Sequence, residues 1–195
     1  MSSSRLAPWP VLETTVEGEY PVFRLLRERA RSPRTGAYLD FFVLETRDWV
    51  NVVPLTSDGQ VVLVRQYRHG VKQLTLELPG GLVDPGEAPA AAALRELREE
   101  TGYAPREVTP LGSVQPQPAI QNNICHTFLA QGVTRVAAPA PDAGEDLEVV
   151  TVPLTELDER VRSGEIAHGL VLAALYRFEL WRRDHPGAPC MSAPP

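Results

Sequence analysis

The chain predicts a mixed α/β fold (α+β), in which short strands form a sheet, an acidic helix sits mid-chain and a long apolar helix closes the domain. Apolar runs of strand length recur between Gly, Pro and Asp turn signals from Val11 to Leu154. Pro89 to Thr101 is made almost wholly of Ala, Leu, Glu and Arg, which favour helix. Leu170 to Trp181 is too long for a strand and places Leu170, Ala174 and Phe178 in one row. With 195 residues, 43% of them apolar, the chain can bury a sizeable core as one domain with an elaboration.

Residues 11–48 carry the pieces VLETTVEGEY, VFRLLRERAR and YLDFFVLET, broken by Gly18, Pro33 and Gly36. They read as an N-terminal antiparallel strand unit, too small for a core of its own and in need of a partner surface. VNVVPL and QVVLVRQY then flank Asp58-Gly59, a hairpin signal. LTLEL sets Leu74, Leu76 and Leu78 on one face and Thr75 and Glu77 on the polar one. After the acidic helix, VTPLGSV, NICHTFLA and EVVTVPL read as strands, with a Pro/Ala/Asp-rich loop from Ala137 to Gly144 before the last. Thr155 and Asp158 resemble a capping box opening a short helix that Gly164 closes. From Pro186 the Pro/Ala-rich tail is expected to be disordered, and no internal repeat is visible.

The central helix carries the chemistry. Pro89 suits a first helical turn, and Gly102 suits the left-handed residue after the last one. Glu96, Glu99 and Glu100 then fall within roughly 100° of arc on one face. Carboxylates that close repel one another and weaken a bare helix. A hard divalent cation removes the repulsion, and Mg²⁺, or Mn²⁺, prefers such oxygen ligands. Arg98 points about 160° away from Glu96 and reads as solvated. A solvated acidic helix would explain the composition, but not the register of Gly81, Glu87 and Gly102 against it.

That register, Gly81, Glu87, Arg95, Glu96, Leu97, Glu99, Glu100, Gly102 and Tyr103, resembles the Nudix box without departure. At average residue usage a chance match at a given start is on the order of one in several hundred million, so the box is preferred to the solvated helix. The resemblance covers about residues 49–183. It implies an α/β/α sandwich with a mixed central sheet. The leading strands look like the N-terminal segment of the ADP-ribose and nucleoside diphosphate sugar pyrophosphatases of that family. The expected division is therefore 1–48 as a β-strand extension serving dimerisation, 49–184 as the Nudix domain and 185–195 as the tail.

The resemblance also implies roles. Glu96 and Glu100, one turn apart, stand first as metal ligands, followed by Glu99 as a bridge to a second metal and the Gly80 carbonyl. Glu87 and Arg95 orient the loop and helix. If the box carboxylates are occupied by metal, a general base must come from the DAGEDLEVVTV segment, with Glu145 first and Asp146 and Glu148 behind it; a solvated acidic loop is the competing description. Arg65 and Arg68 in VRQYRHG resemble the Arg-Gln-Tyr-Arg strand of ADP-ribose pyrophosphatases and would clamp phosphate bidentately, Arg68 before Arg65, unless they are only edge residues. Glu77 would reach a ribose hydroxyl or a metal-bound water. Pro118 lies where ADP-ribose-type members often carry a proline, and Gln121, Asn122 and Asn123 after it would bind sugar or phosphate, unless they only build an amide-rich turn. Trp49, Tyr38 and Phe41 are candidates to stack on a base, against the commoner role of core aromatics.

Composition limits the partners. The formal charge is −6 and no Lys/Arg-rich run occurs, so a nucleic-acid-binding surface is not expected. An anionic substrate must then be held by metal and a few placed arginines. Cys125 and Cys190 are the only cysteines, and a disulfide framework is not expected. His69, His126, His168 and His185 lack zinc-ligand spacing. No run approaches the roughly 20 apolar residues of a membrane span, and MSSSRLAPWP has no signal core; a cytoplasmic protein follows.

The leading reading is a Mg²⁺-dependent pyrophosphatase of ADP-ribose or a related nucleotide sugar, working as a homodimer through its N-terminal strands. A second keeps the box and changes the substrate to GDP-mannose, a dinucleoside polyphosphate, NADH or an oxidised nucleotide. A third is a non-catalytic ADP-ribose sensor, which the intact set of box carboxylates disfavours.

Overall fold

The computed structural model describes residues 6–141 and 144–186. The expected tail from Gly187 onward, with Cys190, lies outside the described residues, as do Asp142 and Ala143 of the acidic loop. The chain divides into a unit of residues up to Arg47 with 115–123, and a larger unit of 48–114 with the residues from 124 on.

In the smaller unit, β1 (Val11–Glu19), β2 (Arg24–Arg31) and β3 (Tyr38–Glu45) form an antiparallel sheet in that order. The β1–β2 turn closes with a Tyr20 N–H to Phe23 carbonyl bond of 2.9 Å. Residues 115–123 join this unit through β3: Leu44 N–H donates to the Ile120 carbonyl at 2.7 Å, and Leu44 bridges Gln121. Leu26 and Ala30 are buried, whereas Val16, Leu39, Phe41 and Phe42 stay exposed. The sheet thus leaves much of its apolar surface uncovered within the chain.

The larger unit contains β4 (Trp49–Leu55), β5 (Gln60–Arg68), β6 (Gln73–Glu77), α1 (Pro89–Thr101), β7 (Tyr103–Ala104) and β8 (Glu107–Val114). There follow β9 (Cys125–Gln131), β10 (Thr134–Arg135), β11 (Leu147–Pro153), α2 (Leu157–Arg162) and α3 (Gly169–Asp184). The sheet runs β11-β5-β4-β9-β8, with β6 added to β5; β4 and β9 are parallel and the other pairs antiparallel. The two-residue pair β7–β10 lies apart and gives no periodic signal in the sequence.

Alternation along the strands sends side chains to two cores. Val50, Val52, Val62, Phe128 and Ala130 pack against Ala92, Ala93 and Leu97 of α1. Val53, Leu55, Leu63, Leu76 and Leu129 pack against Val171, Ala174 and Phe178 of α3. This is the expected α/β/α sandwich. Full burial of a side chain such as Leu97 contributes about 1.5–3 kcal/mol, so both helices are held chiefly by these faces.

Two local expectations fail. The buried row of α3 keeps Ala174 and Phe178 but is completed by Val171, one turn before Ala174, with Leu170 only half-buried. The Thr155–Asp158 capping box is not made. A 3₁₀ turn over Leu154–Glu156 runs straight into α2, so its N-cap, Glu156, is already helical at φ −93 and ψ −10.

Candidate active site

The β4–β5 hairpin splays beyond its Leu55–Val61 pair. The first half of β4 pairs instead with the segment before α1: Val50 N–H donates to the Gly81 carbonyl and Val52 N–H to that of Pro79, both at 2.9 Å. That wedge holds Gly80 and Gly81 beside the helix. A Cβ on Gly80 would overlap the Val50 carbonyl, and one on Gly81 would lie 2.5 Å from a Glu96 carboxylate oxygen. At Gly80 the obstacle is backbone and only glycine fits, whereas a side chain at Gly81 would have to displace the Glu96 carboxylate.

Helix α1 begins with Pro89 and ends at Gly102, which is left-handed at φ 75 and donates its N–H to the Arg98 carbonyl. Register therefore turns Glu96 and Glu100 inward with the apolar face, and both are buried. Glu100 is only 2% exposed and accepts the Gly80 N–H at 2.9 Å. Burial, aided by the nearby Glu96 and Glu145 charges, pushes its carboxyl up to about 8 against the opposing Gly80 bond. Burial likewise raises the Glu96 carboxyl, although Arg95 opposes it. Glu99 is half-exposed and turned to Arg95 at 3.1 Å.

Arg95 ties loop to helix. It donates to Glu87 at 3.1 and 2.9 Å, to the Leu82 carbonyl at 3.0 Å and to Glu96 at 2.8 Å. Glu87 also accepts the Asp84 N–H at 3.1 Å. Both residues therefore do the orienting work expected of them. Arg98 is exposed, also as expected.

The donor set fits a hard divalent cation. Two acidic side chains, buried side by side, are pushed toward the protonated form, and Glu100 has no cationic hydrogen-bond partner among the described residues. Among the described residues no three acidic, His or Cys side chains are already gathered into a metal cage, since Glu99 lies on Arg95 and the Gly80 carbonyl is a backbone donor.

Across from the helix stands a second group. Glu77, expected on a polar face, is 2% exposed; that face is covered by the site itself. Its Oε1 accepts from Arg68 Nε at 2.9 Å and Thr75 Oγ1 at 2.7 Å, and its Oε2 from Arg68 Nη2 at 2.9 Å. His168 Nδ1 lies 3.1 Å from Oε2. Burial alone would raise this carboxyl, but Arg68, His168 and Thr75 together hold it well below the usual carboxylate range. Arg68 in turn feels the charges of Glu100 and Glu145, so its guanidinium and Glu145 belong to the box-helix side.

The remaining expected residues separate. Arg65 and Glu148 are cross-strand partners, 3.1 Å apart, on the sheet face that packs against α3, and Arg65 also pairs with Glu165 at 3.0 Å. One-residue alternation along β5 puts Arg65 opposite Arg68, so neither Arg65 nor Glu148 joins the box carboxylates. Trp49 is half-buried at the start of β4 and bridges Leu82. Gln121, Asn122 and Asn123 belong to the smaller unit. There Asn122 accepts the Thr46 N–H at 3.3 Å and Asn123 donates to the Arg47 carbonyl at 3.1 Å. Tyr38 lies under Arg29, and Phe41 meets Trp9 edge-on at 5.3 Å. From the sequence His168 is only one of four histidines without zinc-ligand spacing, because a lone histidine ahead of a helix carries no pattern.

Comparisons with known proteins show the family. A family model described as the NUDIX domain matches residues 45–174. The chain is 31% identical to an ADP-ribose pyrophosphatase of Bacillus subtilis over 67% of its own length and 71% of that protein's. It is 32% identical to an ADP-ribose pyrophosphatase of Mycobacterium tuberculosis, over 79% and 75%. Among solved structures, one described as the crystal structure of ADP compounds hydrolase superposes with a TM-score of 0.83 at 23% identity, covering 94% of this chain and 98% of that one, a likeness of fold.

Proposed function

The chain belongs to the NUDIX family, and from that premise we propose that it hydrolyses the diphosphate bond of ADP-ribose or a related nucleoside diphosphate sugar, using Mg²⁺, to give a nucleoside monophosphate and a sugar phosphate. The observation that carries this reading is Glu100: a nearly fully buried carboxyl beside Glu96 and Gly80, with Arg68 facing it and Glu145 nearby.

Glu96, Glu100 and the Gly80 carbonyl would hold the metal, with Glu99 released from Arg95 as a further ligand. A divalent ion there neutralises diphosphate oxygens and lowers the pKa of water, chemistry that Mg²⁺ suits and Mn²⁺ can replace. Arg68 binds a phosphate oxygen through the guanidinium edge that Glu77 leaves open. Glu145 accepts the proton of the attacking water as its oxygen bonds to phosphorus and the bridging oxygen departs. The exposed apolar sheet of the smaller unit supports residues 1–48 as an extension through which β1–β3 form a homodimer. We place the protein in the cytoplasm on its cysteine usage; no described helix is long and apolar enough to cross a membrane.

The test is a panel of diphosphate compounds, ADP-ribose, GDP-mannose and NADH among them, incubated with protein and Mg²⁺ and followed by phosphorus NMR. ADP-ribose should yield two phosphomonoesters. Turnover of none would refute the proposal.

A further inference from the structure

Arg68 binds Glu77 side-on through Nε and Nη2, which leaves Nη1 with no hydrogen-bond partner among the described residues. That grip fixes the plane of the guanidinium, and with it the direction of Nη1. The grip is only as rigid as the Glu77 carboxylate. Oε1 is pinned from its own strand by Thr75 at 2.7 Å. Among the described residues Oε2 has one partner besides Arg68, and it comes from another layer of the fold: His168, the residue preceding the first turn of α3.

His168 makes no cap of its own helix; its side chain is 42% exposed and its Nδ1 turns to Glu77. Glu77 is buried and anionic beside Arg68, so it offers an acceptor only. His168 must then donate through Nδ1–H, which leaves Nε2 outward. Nothing else in the contact explains why α3 should be tied to the strand β6 at this atom.

We infer that His168 is a positioning residue of the active site: its Nδ1–H fixes the Glu77 carboxylate, and Glu77 thereby aims the open Nη1 of Arg68 at the substrate diphosphate. The inference rests on the reading of Arg68 given above. It assigns α3, which contributes no box residue, a direct mechanical link to the site.

Two cap-competent replacements separate positioning from helix capping. In His168→Asn, Nδ2 occupies the place of Nδ1 and can still donate to Glu77. In His168→Ser the hydroxyl can cap α3 but is too short to reach. The account expects H168S to lose about tenfold or more in kcat/KM for ADP-ribose, the range of one hydrogen bond to a charged group, and H168N to recover most of it. In an Arg68→Ala background H168S should add little further loss. A readout independent of turnover is the Arg68 Nε–H proton resonance, assigned by its disappearance in R68K: H168S should speed its exchange with solvent and H168N should not.

If H168S is as active as the wild type, if its loss persists undiminished in R68A, or if the Nε–H exchange is unchanged, the inference is wrong. If R68A itself turns over normally, the reading of Arg68 as a phosphate contact fails instead. R68A impaired with H168S silent sinks only the role of His168.

Discussion

Glu100 and Gly80 are joined by a single 2.9 Å hydrogen bond, which with the weaker pull of the Arg68 charge opposes the effect of burial on the Glu100 carboxyl. Two consequences follow from a group held up to about 8. At near-neutral pH the metal-free site carries a proton that a divalent cation must displace. Titration calorimetry of Mg²⁺ binding in buffers of differing ionisation enthalpy should therefore show proton release, which fades as pH rises past about 8 and is absent in Glu100→Gln.

The same carboxyl sets a stability trend. A folded-state value raised above the ordinary 4.5 means the folded protein binds more protons than the unfolded chain between about 4.5 and about 8. Metal-free stability should accordingly fall as pH rises through that window. Thermal melts in chelator would register the decline, and E100Q should remove the part due to this group.

Gly81 stands where any side chain would meet the Glu96 carboxylate. Gly81→Ala should cost about 1–3 kcal/mol of stability through overpacking and weaken Mg²⁺ binding by displacing Glu96. A folded G81A that binds Mg²⁺ like the wild type would show that Glu96 is not a ligand.

The acidic segment offers a contrast between neighbours. Glu145 adds its charge to both Glu96 and Glu100, whereas Glu148 faces α3 and pairs with Arg65. Glu145→Gln should lower kcat by about 10²–10⁴, the range for a general base, and Glu148→Gln should leave it within a few-fold. The initial-rate comparison at saturating substrate decides between them.

Cys125 is buried at the start of β9, and burial, with a smaller push from Asp48, raises its thiol to about 12. In a Cys190→Ser protein the remaining thiol should resist iodoacetamide until the chain is denatured. Rapid labelling of the native protein would contradict the packing of β9.

What was legible in the sequence is what a short-range pattern encodes. The acidic face of α1 follows from a 3.6-residue period, and Gly81, Glu87 and Gly102 from fixed spacing along it. The sheet strands were visible in their apolar runs. The faces of β5 were not: Arg65 and Arg68 look alike until Val62 and Leu63 are known to pack against different helices, which sends the two arginines to opposite sides. The burial of Glu77 was not legible either, because alternation places it on a polar face but does not report what covers that face. His168 meets Glu77 across a separation of ninety-one positions (168 − 77), and no local signal records such a contact. The Asn122 and Asn123 amides bond within the smaller unit, to the chain at Thr46 and Arg47, a pairing set by tertiary structure alone.

The central claim is that Glu96 and Glu100 hold a divalent cation that serves hydrolysis of a nucleotide-sugar diphosphate. Its most direct test is phosphorus NMR of ADP-ribose with Mg²⁺ and either wild-type protein or Glu100→Gln, with circular dichroism confirming equal folding. The account predicts that the wild type yields two phosphomonoesters while folded E100Q loses activity by about a hundredfold or more, the scale of a lost metal contribution. Normal turnover by E100Q would contradict it.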